Sequence, residues 1–540
     1  MKKIFAFFLM LVCASALAGA QNSSAAPRAW SSSIFQRPVA PAQLPGPARL
    51  EDFVVGGKLR LGVEDALLLA LLNNSDINVN RTTFDISWFA VQRAHQPFDP
   101  LVTAGFNPAR AVSPSTSSLN GAATLSQLTQ TSTLDFSQQF QTGTALDVGF
   151  NTTRFSTNSS FETVNPSFTS GLSFSLSQPL WRKAGLFANR APILIAKRGV
   201  KQARATLESQ MNNTVALVID QYWDVVQAVK SLEVQRQSLE RAEASYQHDK
   251  RALELGALSP LDIYRSESKV AQRKIAVVQA EYSLKKVKDT LRQSLGADLD
   301  RRITTLEIEL TDNAEAKGDL PSASLEDALA AAEKNRPDLE AQRQQLAIED
   351  VSIRLAANNL RPDINLGASY ASNGVGGVIF DKNGNPVSIG GFSDSLGQLG
   401  GFSFPTYSLN LQVRLPLRNS GAAADLGTAM VAKKRGLYQM RGQEQTVDTE
   451  VKNAVRDLEQ SEILLGASKA SLDVATKSLA AEERKYQLGA QTIFFVLDAQ
   501  DTLSQAEQAL LQSQIAYQKA LTELDRSTGQ LLAKHSVTVR

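Results

Sequence analysis

Cysteine is almost missing from this chain: one residue in 540, Cys13. With a single thiol no internal disulfide can form, and thiolate metal clusters are excluded with it. Histidine is nearly as scarce. His95, His248 and His535 stand isolated in sequence and read as solvated side chains, not as ligands or bases. The methionines beyond the first twenty residues, Met211, Met430 and Met440, are too scattered for a soft-metal relay. Charge of one sign is lacking too: the formal net charge is +2, with 56 basic and 54 acidic residues. That balance gives no electrostatic case for a nucleic-acid partner. The glycine run Gly374-Val375-Gly376-Gly377 follows a β segment within a polar loop and opens no helix, so it makes no phosphate cradle. No nucleophile–base pair, metal set or cofactor motif is present, so an enzyme is not expected, and neither is a cofactor.

The N-terminus carries Lys2 and Lys3, an apolar run from Ile4 to Val12, and Ala18-Gly19-Ala20 before Gln21. This is the pattern of a secretory signal over residues 1–20, and the run is too short to span a bilayer. Cys13 would leave with it. Val12 is bulky where an acylated cysteine is preceded by a small residue, which argues against a lipid anchor. Residues 21–60 hold Pro27, Pro38, Pro41, Pro45 and Pro47 among small polar residues, and read as an extended N-terminal extension outside any core.

What the chain does have is a long internal repeat. Leu255-Gly256-Ala257-Leu258-Ser259-Pro260 recurs as Leu488-Gly489-Ala490-Gln491-Thr492-Ile493, 233 residues later. Each Gly suits the left-handed position that closes a helix. Ser259 and Thr492 suit the N-cap of the next helix, and Pro260 its first position. Around the tips, heptads keep the same offset: Val218, Val225, Leu232, Leu239, Tyr246 and Leu253 against Val451, Leu458, Leu465, Leu472, Leu479 and Tyr486. The returning halves run Ile263, Val270, Val277, Leu284, Leu291 and Val496, Leu503, Leu510, Tyr517, Leu524, and stop at Gly296 and Gly529. A strict seven-residue period predicts left-handed coiled-coil packing of two antiparallel helix pairs. The helix before each tip, about 190–255 in the first copy, would be roughly 100 Å long, too long for a compact domain.

Each repeat also opens on a helix, Val63 to about Gln96 and Leu325 to about Asn359, followed by proline and then by period-two alternation. Leu172, Phe174, Leu176 and Leu180 alternate with serines; Tyr407, Leu409, Leu411, Val413, Leu415 and Leu417 alternate with polar residues; Ile364, Leu366, Ala368 and Tyr370 form a weaker partner. Strands with one apolar face predict a transmembrane barrel, and two clear strands per repeat require several chains to close it. The segment Leu134 to Phe150 alternates as well, around Thr142-Gly143; it is either an added hairpin or a long loop arm. The expected organisation is therefore signal 1–20, extension 21–60, first repeat 61–296 with a strand pair within about 100–181, linking segment 297–322, second repeat 323–530 with strands within about 362–417, and tail 531–540.

The signal, the duplicated helix–strand–strand–helix–helix plan, the two Leu-Gly tips and the strand exits Pro179-Leu180 and Pro416-Leu417 together resemble the TolC family of outer-membrane efflux proteins. The resemblance spans nearly all of 60–530. It implies a homotrimer in the outer membrane of a Gram-negative-type bacterium, with a twelve-stranded barrel in the lipid and a twelve-helix periplasmic tunnel below it. It implies a passive exit duct of a tripartite efflux or type I secretion system, with an inner-membrane pump and a periplasmic adaptor that docks at the tips Leu255, Gly256, Ser259, Leu488, Gly489 and Thr492. The alternatives are a trimeric surface adhesin and a periplasmic coiled-coil scaffold; no passenger region supports the first, and paired one-faced strands are superfluous in the second. In the family, acidic residues six and nine after the second tip Gly line the aperture, with an Arg two after it and a Tyr three before it. Tyr486 and Asp498 match; Gln491 stands for the Arg and Phe495 for the first acid. Asp262 matches a family acid in the first hairpin, and helix capping also explains it. Phe495 is thereby expected to act as an apolar constriction beside a ring of Asp498 carboxylates.

Overall fold

The computed structural model describes residues 46–255, 260–313, 324–381 and 385–537. The signal, most of the extension, and the tip residues Gly256 and Ser259 lie outside the described residues. Each repeat opens on a helix in two pieces: α1 (Val63–Asn73) and α2 (Ser75–His95) in the first. The expected single helix to Gln96 is thus broken at Asn74, whose side-chain oxygen leaves the helical pattern to accept from the N–H groups of Asp76 and Ile77. The long pair follows as α3 (Leu186–Glu254) and α4 (Pro260–Leu295). In the second repeat come α5 (Leu325–Asn335) and α6 (Pro337–Asn359), separated at the Arg336–Pro337 junction where proline starts a new helix. A short α7 (Phe392–Gly400) precedes the second long pair, α8 (Ser420–Gln487) and α9 (Ile493–Ser527).

The heptads pack as their period requires. Val218, Val225, Leu232, Val451, Leu458, Leu465, Leu479, Val496, Leu503 and Tyr517 are buried, and small residues between them, Ala454, Ser461, Ala475, Ala499, Ala506 and Ala520, are buried too. Alternating large with small side chains lets the helices approach closely while filling the seam. The two hairpins are tied to each other: Arg241 of α3 donates to both carboxylate oxygens of Glu507 on α9 at 2.8 and 3.0 Å, and Lys269 and Arg273 of α4 converge on Asp501 of α9.

The extension is not all outside the core. Val54–Val55 (β1) and Lys58–Leu61 (β2) form a sheet with Glu307–Leu310 (β7), β2 lying parallel to β7. Leu50, Leu59 and Leu61 are buried against Val218, Tyr222, Val225, Leu291 and Leu295. The expectation of core-free chain over 21–60 therefore fails at residues 50–60. The Lys-Leu-Arg-Leu alternation is only four residues long, and its partner strand lies 249 residues away.

The strand count is also corrected. Residues 100–181 hold four strands and not a pair: β3 (Leu101–Pro114), β4 (Thr124–Gln139), β5 (Ala145–Thr157) and β6 (Val164–Pro179). They join β8 (Asp363–Phe380) and β10 (Phe404–Arg414) in the order β10-β8-β6-β5-β4-β3, with the short β9 (Pro386–Ile389) beside the far end of β8. The ambiguous segment is a hairpin, with Leu134 opposite Phe150 and Phe136 opposite Val148 about a turn at Thr142-Gly143. Gly143 has φ +91°, which a side chain would strain.

One face of this sheet is apolar over the rows nearest the helices, and carries Ser132, Thr152, Gln130, Arg154 and Arg110 beyond them. Adjacent rows read Ala104-Leu134-Phe150-Leu172, then Val102-Phe136-Val148-Phe174-Tyr370-Tyr407, then Leu146-Leu176-Ala368-Leu409. The opposite face carries Thr, Ser, Asn and Gly, with Asp135 and Asp147. Gly374 and Gly376, expected in a loop, lie within β8: a Cβ there would stand 2.0 Å from the Ser395 carbonyl and 2.1 Å from that of Gly391. Glycine is needed because the α7 segment presses its backbone onto the strand.

Candidate functional site at the helix tips

The second tip is built by backbone geometry. Gly489 has φ +69°, its N–H bonds the Tyr486 carbonyl at 2.9 Å, and the Ala490 N–H bonds that of Lys485 at 3.0 Å. This paired reversal closes α8 and frees the chain to turn within a few residues. Thr492 takes the N-cap position of α9, but its hydroxyl makes no capping bond, contrary to the expectation; the Thr492 carbonyl accepts from Phe495 N–H at 3.3 Å instead. The tips are apolar and bare: Leu255 is 84 % exposed and Leu488 77 %.

The residues expected at the aperture separate into two groups. Phe495 and Asp498 are exposed on the first two turns of α9, where Phe495 packs edge-on against Phe494 at 5.4 Å between centroids. The Arg265 guanidinium lies over the Phe494 ring at 5.9 Å. Gln491 is half-buried, and its side-chain oxygen has no hydrogen-bond partner among the described residues. Tyr486 turns the other way, into the body of the hairpins.

There it meets a residue that the sequence reading missed. Asp249 of α3 is fully buried. Its carboxylate accepts from the Tyr486 hydroxyl at 3.0 Å and from the Ser266 hydroxyl, and His248 Nδ1 stands 3.5 Å away. One carboxylate thus joins α3, α4 and α8 just above the tips. Burial, then the Asp249 and Asp262 carboxylates, push the Tyr486 phenol well above its usual range, so it stays a hydrogen-bond donor. Asp262, in the first turn of α4, therefore acts on this cluster electrostatically. The signal was present: Asp249 and Ser266 each lie three residues after a heptad position, Tyr246 and Ile263, where the pattern calls for a small or apolar residue.

The histidines are not all solvated. His248 is exposed beside this cluster, while His95 Nδ1 stands 2.8 Å from the Val91 carbonyl and His535 pairs with Glu64 at 2.8 Å. Among the described residues no group of His, Cys, Asp or Glu could hold a metal ion.

Comparison with known proteins agrees with this geometry. A family model described as "Outer membrane efflux protein" matches residues 144–297 and 328–530. The probable efflux pump outer membrane protein TtgC of Pseudomonas putida is 24 % identical over 333 residues, 61 % of this chain. The match spans 62 % of that relative's length. The solved outer-membrane channel OprN superposes with a TM-score of 0.62 at 16 % identity, covering 87 % of this chain and 90 % of its own. CusC superposes equally, 0.62 at 16 % identity, covering 92 % and 99 %. The matched segments take in both helical hairpins and the strands that lead into them, and on that ground the chain belongs to the outer membrane efflux protein family.

Proposed function

We propose that this protein is the outer-membrane exit duct of an efflux or type I secretion system, a homotrimer that conducts cargo passively and breaks no bond. The observation that carries this reading is that the chain is open along both sides. Helices neighbour one another in the order α2, α3, α6, α8, and strands in the order from β3 to β10. The two ends of both layers are continuous in sequence, α2 into β3 and β10 into α8. Both are unpartnered: Val79, Ile86 and Phe89 on α2 and Met430, Val431 and Tyr438 on α8 are exposed, as is every residue of β3 and β10. An apolar helix edge and an unpaired strand edge favour a neighbouring copy. The apolar sheet face would then meet lipid, and the long helices would reach inward as a tunnel.

Within that duct the tips carry two roles. Leu255, Gly256, Ser259, Leu488, Gly489 and Thr492 form the docking surface for a periplasmic adaptor, which couples the duct to an inner-membrane pump. Phe495 and Asp498 line the narrow inner opening, and Tyr486 on Asp249 holds it closed. The relative's name, an efflux pump outer membrane protein, supports the coupling to a pump. Native mass spectrometry of the detergent-extracted protein tests it: a trimer is expected, and a well-folded monomer would sink the reading. Crosslinking from a cysteine at Leu488 should recover the adaptor.

A further inference from the structure

We infer that the barrel of this protein is closed by eighteen strands, six from each of three copies, and not by the twelve that its resemblance implies. The inference rests on the trimeric reading above and adds to it a wider pore with its own wall chemistry. Three observations carry it.

First, the additional hairpin β4–β5 is wall and not appendage. Its strands sit between β3 and β6 in an unbroken ladder: β4 pairs β3 from Leu101↔Ser137 to Pro114↔Thr124, and β5 pairs β6 from Ala145↔Ser177 to Phe155↔Ser167. No register lets β3 meet β6 directly without unzipping both. The hairpin is also pinned at each end. At the turn, Thr142 accepts from Gly185 N–H at 3.1 Å, and Gln141 accepts from Arg190 at 2.5 Å, so the turn rests on the start of α3. At the other end, the loop before β4 meets the loop after β5 through Ser160 N–H to the Asn120 carbonyl at 3.1 Å.

Second, from Leu134 to Phe150 the hairpin obeys the facial pattern of the rest of the sheet. Leu134, Phe136, Leu146, Val148 and Phe150 continue the apolar rows of β6 and β8. Thr131, Thr133, Thr153 and Asn151 continue the polar face. A free arm would have no reason to keep both faces in register with its neighbours.

Third, the parity permits closure. All neighbouring pairs in the six-stranded path are antiparallel, so β3 and β10 run in opposite directions. Adding strands in a pair keeps that relation, and β3 of one copy can continue the antiparallel ladder onto β10 of the next. At a strand spacing of ~4.8 Å and a tilt of ~40°, twelve strands give a barrel about 24 Å across and eighteen about 36 Å. The cross-section more than doubles. The β4–β5 hairpin also supplies Asp135 and Asp147 to the polar, inward face, where Arg414 at the base, opposite Asp363, is the one basic residue that the described strands of this sheet carry; Arg110 and Arg154 stand on the other face. The wider pore is therefore lined by six added carboxylates that favour cationic cargo.

The test uses the full chain in its membrane. Electron cryomicroscopy of the wild-type assembly counts the strands directly, and eighteen around a threefold axis are expected. In cells, Asp135→Cys and Asp147→Cys should react with a membrane-impermeant maleimide added outside, while Phe136→Cys and Val148→Cys face lipid and label roughly tenfold less or below. The unsubstituted chain controls for Cys13. A trimer whose wall holds twelve strands, or equal labelling of both alternating sets, overturns the eighteen-strand barrel and leaves the duct standing. A particle that is not a trimer overturns both.

Discussion

Replacing Tyr486 by Phe removes one hydroxyl and leaves the ring, its packing on the hairpin and its edge contact with His248 at 5.6 Å between centroids. What is lost is a 3.0 Å donation to a carboxylate with no solvent exposure. A hydrogen bond to a charged group contributes about 1.5–3 kcal/mol, and at 1.4 kcal/mol per decade its loss shifts a two-state equilibrium roughly 10- to 100-fold. If closure of the tips is that equilibrium, Tyr486→Phe should raise the ratio of open to closed time in planar bilayers by that factor. Because the hydroxyl acts through Asp249, Asp249→Asn should open the channel too, and the double variant should open little further than the more severe single one. Additive effects, or an open probability unchanged by Tyr486→Phe, would refute the reasoning.

Other outcomes follow from the same geometry. Phe495→Ala should raise single-channel conductance and Asp498→Asn should lower cation over anion permeability; an unchanged Phe495→Ala conductance puts the constriction elsewhere. Gly489→Pro deletes the N–H that bonds Tyr486 and forbids the observed φ of +69°, so efflux measured by drug susceptibility should fail while the barrel still assembles at the surface. Transport that survives Gly489→Pro combined with Gly256→Pro would remove the tips from docking. Burial, partly offset by Lys519 and reinforced by Asp224 and Glu523, with Arg526 also lowering it, pushes Asp220 from 3.8 up to about 6. The folded state then holds the proton more tightly than the unfolded one. Asp220's contribution is full below 3.8 and is lost as pH rises through 6. The gain in melting temperature of Asp220→Asn over wild type should accordingly grow from about pH 4 to pH 8, and a pH-independent difference would contradict it.

The helical half of this protein was written locally. A seven-residue period fixes which side of a helix is buried whatever it meets, so the seam from Val451 to Tyr486 and the turn at Gly489 could be read without coordinates. The apolar and polar faces of β6 and β10 were legible for the same reason, since period two assigns sides before partners are known. Partners were a different matter. A strand's neighbour is set by pairing between distant segments: β6 lies against β8 across the whole first hairpin, and β2 against β7 across 249 residues. That is why residues 58–60 passed for loose extension, and why Leu134 to Phe150 could be either an added hairpin or a long loop arm. Asp249 shows the limit at a single residue. Its position on the seam was visible, yet a carboxylate there gains its meaning from Tyr486, 237 residues on, and from Ser266 on the returning helix. Burying that carboxylate is tolerable once α4 and α8 bring it donors, and only the folded chain supplies them.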